Sequence, residues 1–496
     1  MRSFLLLFIL VTSGLYAQRA DLVVASKQAK QLMTEGRFGE AAAVYKRLVQ
    51  ALPGNAGLLL NLGMAEHMAG DETSAIPTLE SALKLQPGLP PALAMLSEAY
   101  LRTDQPAKAL PLLRKAVALD PAQPELRRML AGAAVSLDLH EEAALHLRKL
   151  LETAPAEPLL WSMAGKEYEA LAQSAFFELE KRGPDSAFLA AVLAESRLRG
   201  QQNRAAYFFY RQALERDPKL RGAHAAIAAI YRQTGHPDWA ATEERAETAL
   251  GPVNCAADKL ACDFNAKKYL AVAAAAKLNK TASAAYWQTR AWNALAVEAF
   301  SRLDRLPESA PKLELQAELL RNRKQYAESA KLWRAALALA PADATVEHEL
   351  LMTLCMAQDF AAAQPMLDRM LKQDPDSPAL NFLQGDAYLN QQLPEKALPY
   401  LQRAVRGNPK LLQAKASLAR VYLQLGQAGD AAQYLKEVLP IDEDGTFHFE
   451  LARAYRAAGK ADLAKEALDQ YRELKRRNDE AQAELEREAE ITAPKN

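Results

Sequence analysis

The sequence predicts an all-α solenoid of about eleven stacked helix pairs, interrupted at two places by a long helix. Three observations lead there. Prolines recur at intervals of 34 residues, amphipathic patterns of helical period fill the space between them, and no segment shows the alternation of a half-buried strand.

The chain has 496 residues, with 61 Lys and Arg against 61 Asp and Glu. That balance argues against a nucleic-acid or anionic-membrane binder. The first element, residues 1–17, reads as a signal peptide. Arg2 supplies the positive start, Phe4 to Val11 the apolar stretch, and Leu15-Tyr16-Ala17 the cleavage site. Export to the periplasm is therefore expected. An uncleaved anchor is the alternative, but the apolar run is shorter than the ~20 residues a span requires. No cysteine follows it to take a lipid, and no later segment is apolar enough to cross a membrane.

Residues 18–157 form the first array, of four repeats closed by Pro53, Pro87, Pro121 and Pro155. Each proline ends a helix, because it lacks an N–H and restricts the residue before it. Within the second unit, Gly63, Gly70, Ala75 and Ala82 lie where antiparallel helices cross or turn, and larger side chains would hold them apart. Pro77, Pro111, Pro365 and Pro399 each precede a closing proline by ten residues and are expected near a helix's first turn or just beyond it, where a missing N–H costs least.

The 34-residue ladder breaks after Pro155. Residues 158–186 lack a Gly or Pro turn signal at the expected separation and read as one long helix over 157–182, or as a degenerate repeat with an unrecognised turn. A helix pair array at 187–254 restores the spacing through Pro184, Pro218 and Pro252. An irregular segment, 255–309, follows, with a second long helix expected at about 284–305. Its stretch NALAVEAFSRLDRLPES (293–309) repeats EALAQSAFFELEKRGPDS (169–186), which indicates duplication of a helix-plus-repeat module. Residues 310–478 form a last array of five repeats, marked by Pro307, Pro341, Pro375 and Pro409. Residues 479–496 read as a charged helical tail with a frayed end.

Gly385, Ala397 and Ala404 before Pro409 match the second unit, and Ala419, Ala431, Ala452 and Ala464 continue the series. Tyr45, Tyr100, Tyr231, Tyr388, Tyr422 and Tyr455 add a recurring aromatic. This pattern of a small residue, two alanines and a closing proline resembles the tetratricopeptide repeat (TPR), over residues 22 to about 478. The resemblance implies a right-handed α-solenoid of the exported bacterial type, whose concave groove is lined by the first helix of each pair. In the last three units, the family's lining positions fall on Phe382, Asp386, Leu389 and Asn390, then Gln413, Arg420 and Gln424, then Phe449, Arg453 and Arg456. Three arginines and two aromatics there would suit a carboxylate-bearing peptide. A solvated or internally paired set is the competing reading. The family's carboxylate clamp, a Lys and an Asn on one first helix, is missing from every unit, so a chaperone-tail role is not supported. Lys27 and Lys30 offer a weaker basic patch.

Catalytic signals are lacking. The histidines, His67, His140, His146, His224, His236, His348 and His448, show no metal-ligand spacing, and no nucleophile elbow or phosphate loop is present. No cofactor and no metal are expected, and nothing sets an oligomeric state. Cys355 reads as a small core residue. Cys255 and Cys262 are too far apart for a C-x-x-C motif and lack further zinc ligands nearby. In a helix they would lie about 10 Å apart, whereas in a loop they can meet, and an oxidising compartment favours a disulfide.

The expected function is an exported, non-enzymatic scaffold binding a protein or peptide partner. Envelope assembly, secretion or polysaccharide export are the settings the resemblance implies. A carrier for a polysaccharide or small ligand, and an enzyme using the cysteines, are the alternatives.

Overall fold

The computed structural model describes residues 21–488 and 490–494, so the leader expected over 1–17 lies outside the described residues. Every element among them is helical. The chain divides into two compact units. One takes the described part of Met1–Phe177 with Asp263–Leu278 and Trp287–Leu303, and the other takes Glu178–Cys262, Asn279–Tyr286 and the described part of Asp304–Asn496.

The first unit opens with four helix pairs: α1 (21–34) with α2 (Phe38–Ala51), α3 (Ala56–Met68) with α4 (Glu72–Leu85), α5 (Pro90–Arg102) with α6 (Pro106–Leu119), and α7 (Pro124–Ser136) with α8 (His140–Thr153). The closing prolines act as stops. Helices α2, α4, α6 and α8 each end two residues before Pro53, Pro87, Pro121 and Pro155. Ala75, Ala82, Ala109, Ala116 and Ala143 are fully buried where the helices meet. At Gly63 an added Cβ would lie 2.6 Å from Leu79 Cγ, and at Gly385 it would lie 2.5 Å from Leu401 Cγ. A side chain at either glycine would force the pair apart, at a cost of about 1–3 kcal/mol.

The prolines within second helices sit just beyond the first turn. Pro77, Pro111, Pro365 and Pro399 are each the sixth residue of their helix, where the N–H would already have had an intrahelical acceptor. The helices run through them, so packing of the buried alanine face offsets one lost hydrogen bond in each.

A second 34-residue ladder lies in the backbone. Residues 36, 70, 104 and 138, then 201 and 235, then 324, 358, 392 and 426 all have positive φ. Each ends a first helix, and the N–H that follows it reaches back five residues, as in Gln105 N to Tyr100 O (2.8 Å) and Asp359 N to Leu354 O (3.0 Å). This is the Schellman closure, which satisfies carbonyls left open at a helix end. Asp104, Asp138, Gln201, Lys324, Gln358 and Gln392 occupy positions where glycine is the ordinary choice.

Helix α9 (Pro158–Arg182) runs unbroken for 25 residues and α16 (Ala282–Arg305) for 24. Within the first unit they pack on each other. Gly165 permits this, since a Cβ there would meet the Phe300 ring at 2.4 Å. Leu160, Ala164, Tyr168 and Leu171 share one core with Ala296 and Ala299. The duplicated segments thus meet through equivalent positions: Tyr168 and Trp292, each 124 residues from its counterpart, stack at 5.7 Å.

The second unit contains α10 (Ala187–Arg199) with α11 (Asn203–Arg216), and α12 (Ala223–Gln233) with α13 (Pro237–Ala249). It also holds five further pairs: α17 (Ala310–Asn322) with α18 (Tyr326–Leu339), α19 (Ala344–Met356) with α20 (Phe360–Gln373), α21 (Pro378–Asn390) with α22 (Pro394–Gly407), α23 (Leu412–Gln424) with α24 (Ala428–Val438), and α25 (Thr446–Ala457) with α26 (Ala461–Glu488). Residues 479–488 are helical and continue α26. Residues 491–494 are not frayed, because Thr492 is hydrogen-bonded to Tyr207 and Tyr231.

Cys255 and Cys262 form a disulfide with Cα atoms 5.6 Å apart. Cys255 lies in a turn where the Asn254 carboxamide accepts the Ala256 N–H, and Cys262 lies in the short α14 (Lys259–Asn265), capped by Asp258. The start of this loop is held by Arg221, whose guanidinium donates to the carbonyls of Leu250, Gly251 and Pro252 at 2.6–3.2 Å. The irregular segment 255–309 also carries repeat geometry. Helix α14 and α15 (Tyr269–Lys277) are joined by Lys267 in the left-handed conformation, with Lys268 N bonded to Asp263 O at 2.9 Å.

Candidate partner-binding surface

The first helices of the last three pairs, α21, α23 and α25, carry the residues singled out for binding. Two of these helices, α21 and α25, are started by a local device. Ser377 accepts the Leu380 N–H before α21. Before α25, the buried Asp442 carboxylate accepts the N–H groups of Phe447 (3.1 Å) and His448 (2.8 Å), satisfying donors exposed at a helix start.

Several of the expected groove residues turn inward or pair internally. Phe382 is half-buried and packs on the surrounding core clusters. Asp386 accepts the Ser417 hydroxyl (2.8 Å) and the Asn390 amide (3.0 Å). Arg420 donates from Nε to Glu450 at 2.8 Å and lies 5.8 Å from the Phe447 ring centroid. The three arginines are therefore not equivalent: Arg420 is neutralised by a carboxylate one repeat away. The same kind of link joins Arg128 to Glu157 (2.5 Å) and Arg321 to Glu349, 29 and 28 residues apart. Such pairs are half-exposed, so they contribute register between repeats more than net stability.

What remains open is smaller and better defined. Arg453 and Arg456 on α25 are exposed and have no ion pair among the described residues. Phe449, one turn earlier on the same helix, is 42% exposed, with its ring 5.3 Å from Tyr471 of α26. Gln413, Gln424 and Asn390 are exposed at the ends of α23 and α21.

A second feature, in the first unit, was not anticipated. A cleft of about 370 Å³ is lined by Leu145, Arg148, Tyr168, Leu270, Gln288 and Trp292, among others. The Trp292 indole N–H is buried there with no hydrogen-bond partner. The signal was present in the sequence: extending the duplication match one step upstream of Glu169 and Asn293 reaches this aromatic pair.

His67, His140, His224 and His448 each lie within 2.8 Å of one carboxylate oxygen, of Glu72, Glu167, Glu243 and Asp442 respectively. No cluster of His, Cys, Asp or Glu among the described residues is arranged to hold a metal. Cys355 is half-buried against the α17–α20 core, and burial, with the Asp386 charge second, pushes its thiol up to about 11. At neutral pH it is a thiol and not a nucleophilic thiolate.

Family models described as tetratricopeptide repeat match residues 26–90, 103–166, 357–411 and 388–448. The chain is a tetratricopeptide-repeat protein. The cellulose synthase operon protein C of Escherichia coli (strain K12) is 32% identical to this TPR protein over 117 residues, 23% of this chain and 10% of that one. The putative cellulose synthase operon protein C of Escherichia coli O157:H7 matches equally. The chain thus spans about a tenth of the length of these relatives. Among solved structures, MamA is 21% identical over 40% of this chain and 92% of its own, with a TM-score of 0.29. Yeast Tom70 is 14% identical over 94% of this chain and 95% of its own, with a TM-score of 0.30. At TM-scores below 0.5 these likenesses carry no further weight. No described helix is long and apolar enough to cross a membrane.

Proposed function

We propose that this TPR protein is an exported, non-enzymatic scaffold that binds a protein or peptide partner along the first helices of its last repeats, in cell-envelope assembly, secretion or polysaccharide export. The observation that carries the reading is the surface of α25. Arg453 and Arg456 stay exposed, with no ion pair among the described residues, beside the open face of Phe449, while the neighbouring Arg420 is paired. A rigid aromatic next to two forked cations suits an acidic or carboxylate-bearing segment. The leader over 1–17 and the disulfide support export to an oxidising compartment.

The test is affinity capture from an envelope fraction with the wild type and an Arg453→Glu/Arg456→Glu variant. A partner retained by the first and lost by the second is expected. An identical set of retained proteins would sink the reading.

A second reading, a carrier for a polysaccharide, draws on the Tyr168–Trp292 cleft, whose aromatic side chains would suit a sugar ring. The short likeness to cellulose synthase operon protein C favours it modestly. Thermal stabilisation by glycans and not by peptides would replace the first reading with this one.

A further inference from the structure

One cleft in the second unit already holds a peptide. Tyr207 of α11 and Tyr231 of α12 are buried, at 2% and 1% exposure, with their hydroxyls 3.2 Å apart. Both donate to the carbonyl oxygen of Thr492, at 3.0 and 2.7 Å, so both lone pairs of that oxygen are used. The Thr492 N–H donates back to the Tyr207 oxygen at 3.4 Å, and Arg211 reaches the Thr492 hydroxyl at 3.5 Å. The contact is to main chain first and to side chain second.

The reason lies in the repeat. Tyr231 occupies the recurring tyrosine position, and in two other repeats that hydroxyl is hydrogen-bonded to the side chain twenty residues earlier. Tyr100 donates to Glu80, and Tyr422 accepts from Gln402 at 3.1 Å. For Tyr231 the residue twenty earlier is Arg211, which has donors only and cannot take a phenolic proton. Burial, then the Tyr207 hydrogen bond, raises the Tyr231 pKa, so its proton stays on and needs an acceptor. Within the fold the Tyr231 hydroxyl meets only the Tyr207 hydroxyl at hydrogen-bond distance among the described residues of α11–α13, and the Thr492 carbonyl oxygen takes its proton.

The occupant does not fill the site. A cleft of about 230 Å³ remains beside Thr492, Ala493 and Pro494, lined by Arg211, Leu214, Ile227 and Glu243 with the two tyrosines. An extended segment with larger side chains would make the same main-chain bonds and add contacts the present one lacks.

We propose that the tyrosine-floored cleft between α11, α12 and α13 is a binding site for an extended peptide of Thr-Ala-Pro type, and that residues 491–494 of this chain hold it closed. It lies on other helices than the α25 surface, so it stands or falls independently of the reading above.

Two measurements test it. In hydrogen exchange on the full chain, the Thr492 amide should be protected at least tenfold, and a Tyr207→Phe/Tyr231→Phe variant should lose that protection, each bond being worth roughly 3–10-fold. In the second, a labelled peptide of residues 490–496 is titrated into a chain ending at Ala489, with circular dichroism confirming the fold. Saturable binding to the shortened chain, at least tenfold weaker to the full chain and to the shortened double variant, is expected. An unprotected Thr492 amide in the wild type, or binding indifferent to the two hydroxyls, would overturn the proposal.

Discussion

Cys355 is surrounded by Leu, Met and Ala side chains of the α17–α20 core, and its thiol stays protonated up to about 11. Its folded value is above the ordinary 9.0, so it contributes to stability below that ordinary value, and the contribution is lost as pH rises through about 11. Alkylation by iodoacetamide at pH 8 should therefore be at least tenfold slower in the native protein than after denaturation, and should accelerate as pH approaches 11. Rapid alkylation at pH 8 would show an activated thiolate and reopen the enzymatic alternative. At this scale the sequence is informative where one residue type has one physical use. Gly63 and Gly385 are required by contacts with Leu79 and Leu401 that no side chain could share. Cys255 and Cys262 lie in a turn and at a helix start, close enough to bond. The partners of charged residues were not legible. Glu450 neutralises Arg420 from 30 residues away, and nothing in the local spacing marks it among the other acids of the array.

Helix ends were half legible. The closing prolines mark the ends of second helices, because proline punishes continuation at once. The ends of first helices were hidden at six of ten turns, because Asp104, Asp138, Gln201, Lys324, Gln358 and Gln392 hold the left-handed conformation where Gly36, Gly70, Gly235 and Gly426 do elsewhere. An L-residue there costs about 1–2 kcal/mol, partly offset by the greater chain entropy glycine loses. The triple variant Lys324→Gly/Gln358→Gly/Gln392→Gly should accordingly melt higher than the wild type, by roughly 0.5 kcal/mol per site. Unchanged or lowered melting would mean that the side chains at these turns make compensating contacts. The same rule separates the long helices from the pairs: α9 and α16 contain no positive-φ residue and stay continuous.

At the scale of the molecule, the repeat count was readable from the proline ladder, but the division of the chain was not. In an ideal solenoid each repeat contacts only its neighbours. Here the core around Leu160 and Tyr168 is completed by Ala296 and Ala299, more than 120 residues later in the chain. Likewise Thr492 meets Tyr207 across a separation of 285 residues, which no periodicity can reveal. A fragment ending at Leu278 should therefore expose the apolar faces of α8 and α9. It should bind a hydrophobic dye and melt less cooperatively than the full chain, and a sharp transition without dye binding would contradict the shared core.

The route of the backbone has a consequence for biosynthesis. The chain leaves the first unit after Phe177 and returns for Asp263–Leu278 and Trp287–Leu303. That unit cannot close until residue 303 has been made. At about 5–20 residues per second, the 126 residues between are translated in roughly 6–25 s. During that interval an unfinished half-core waits for α16, and a holding factor bound to the nascent chain would have its target there.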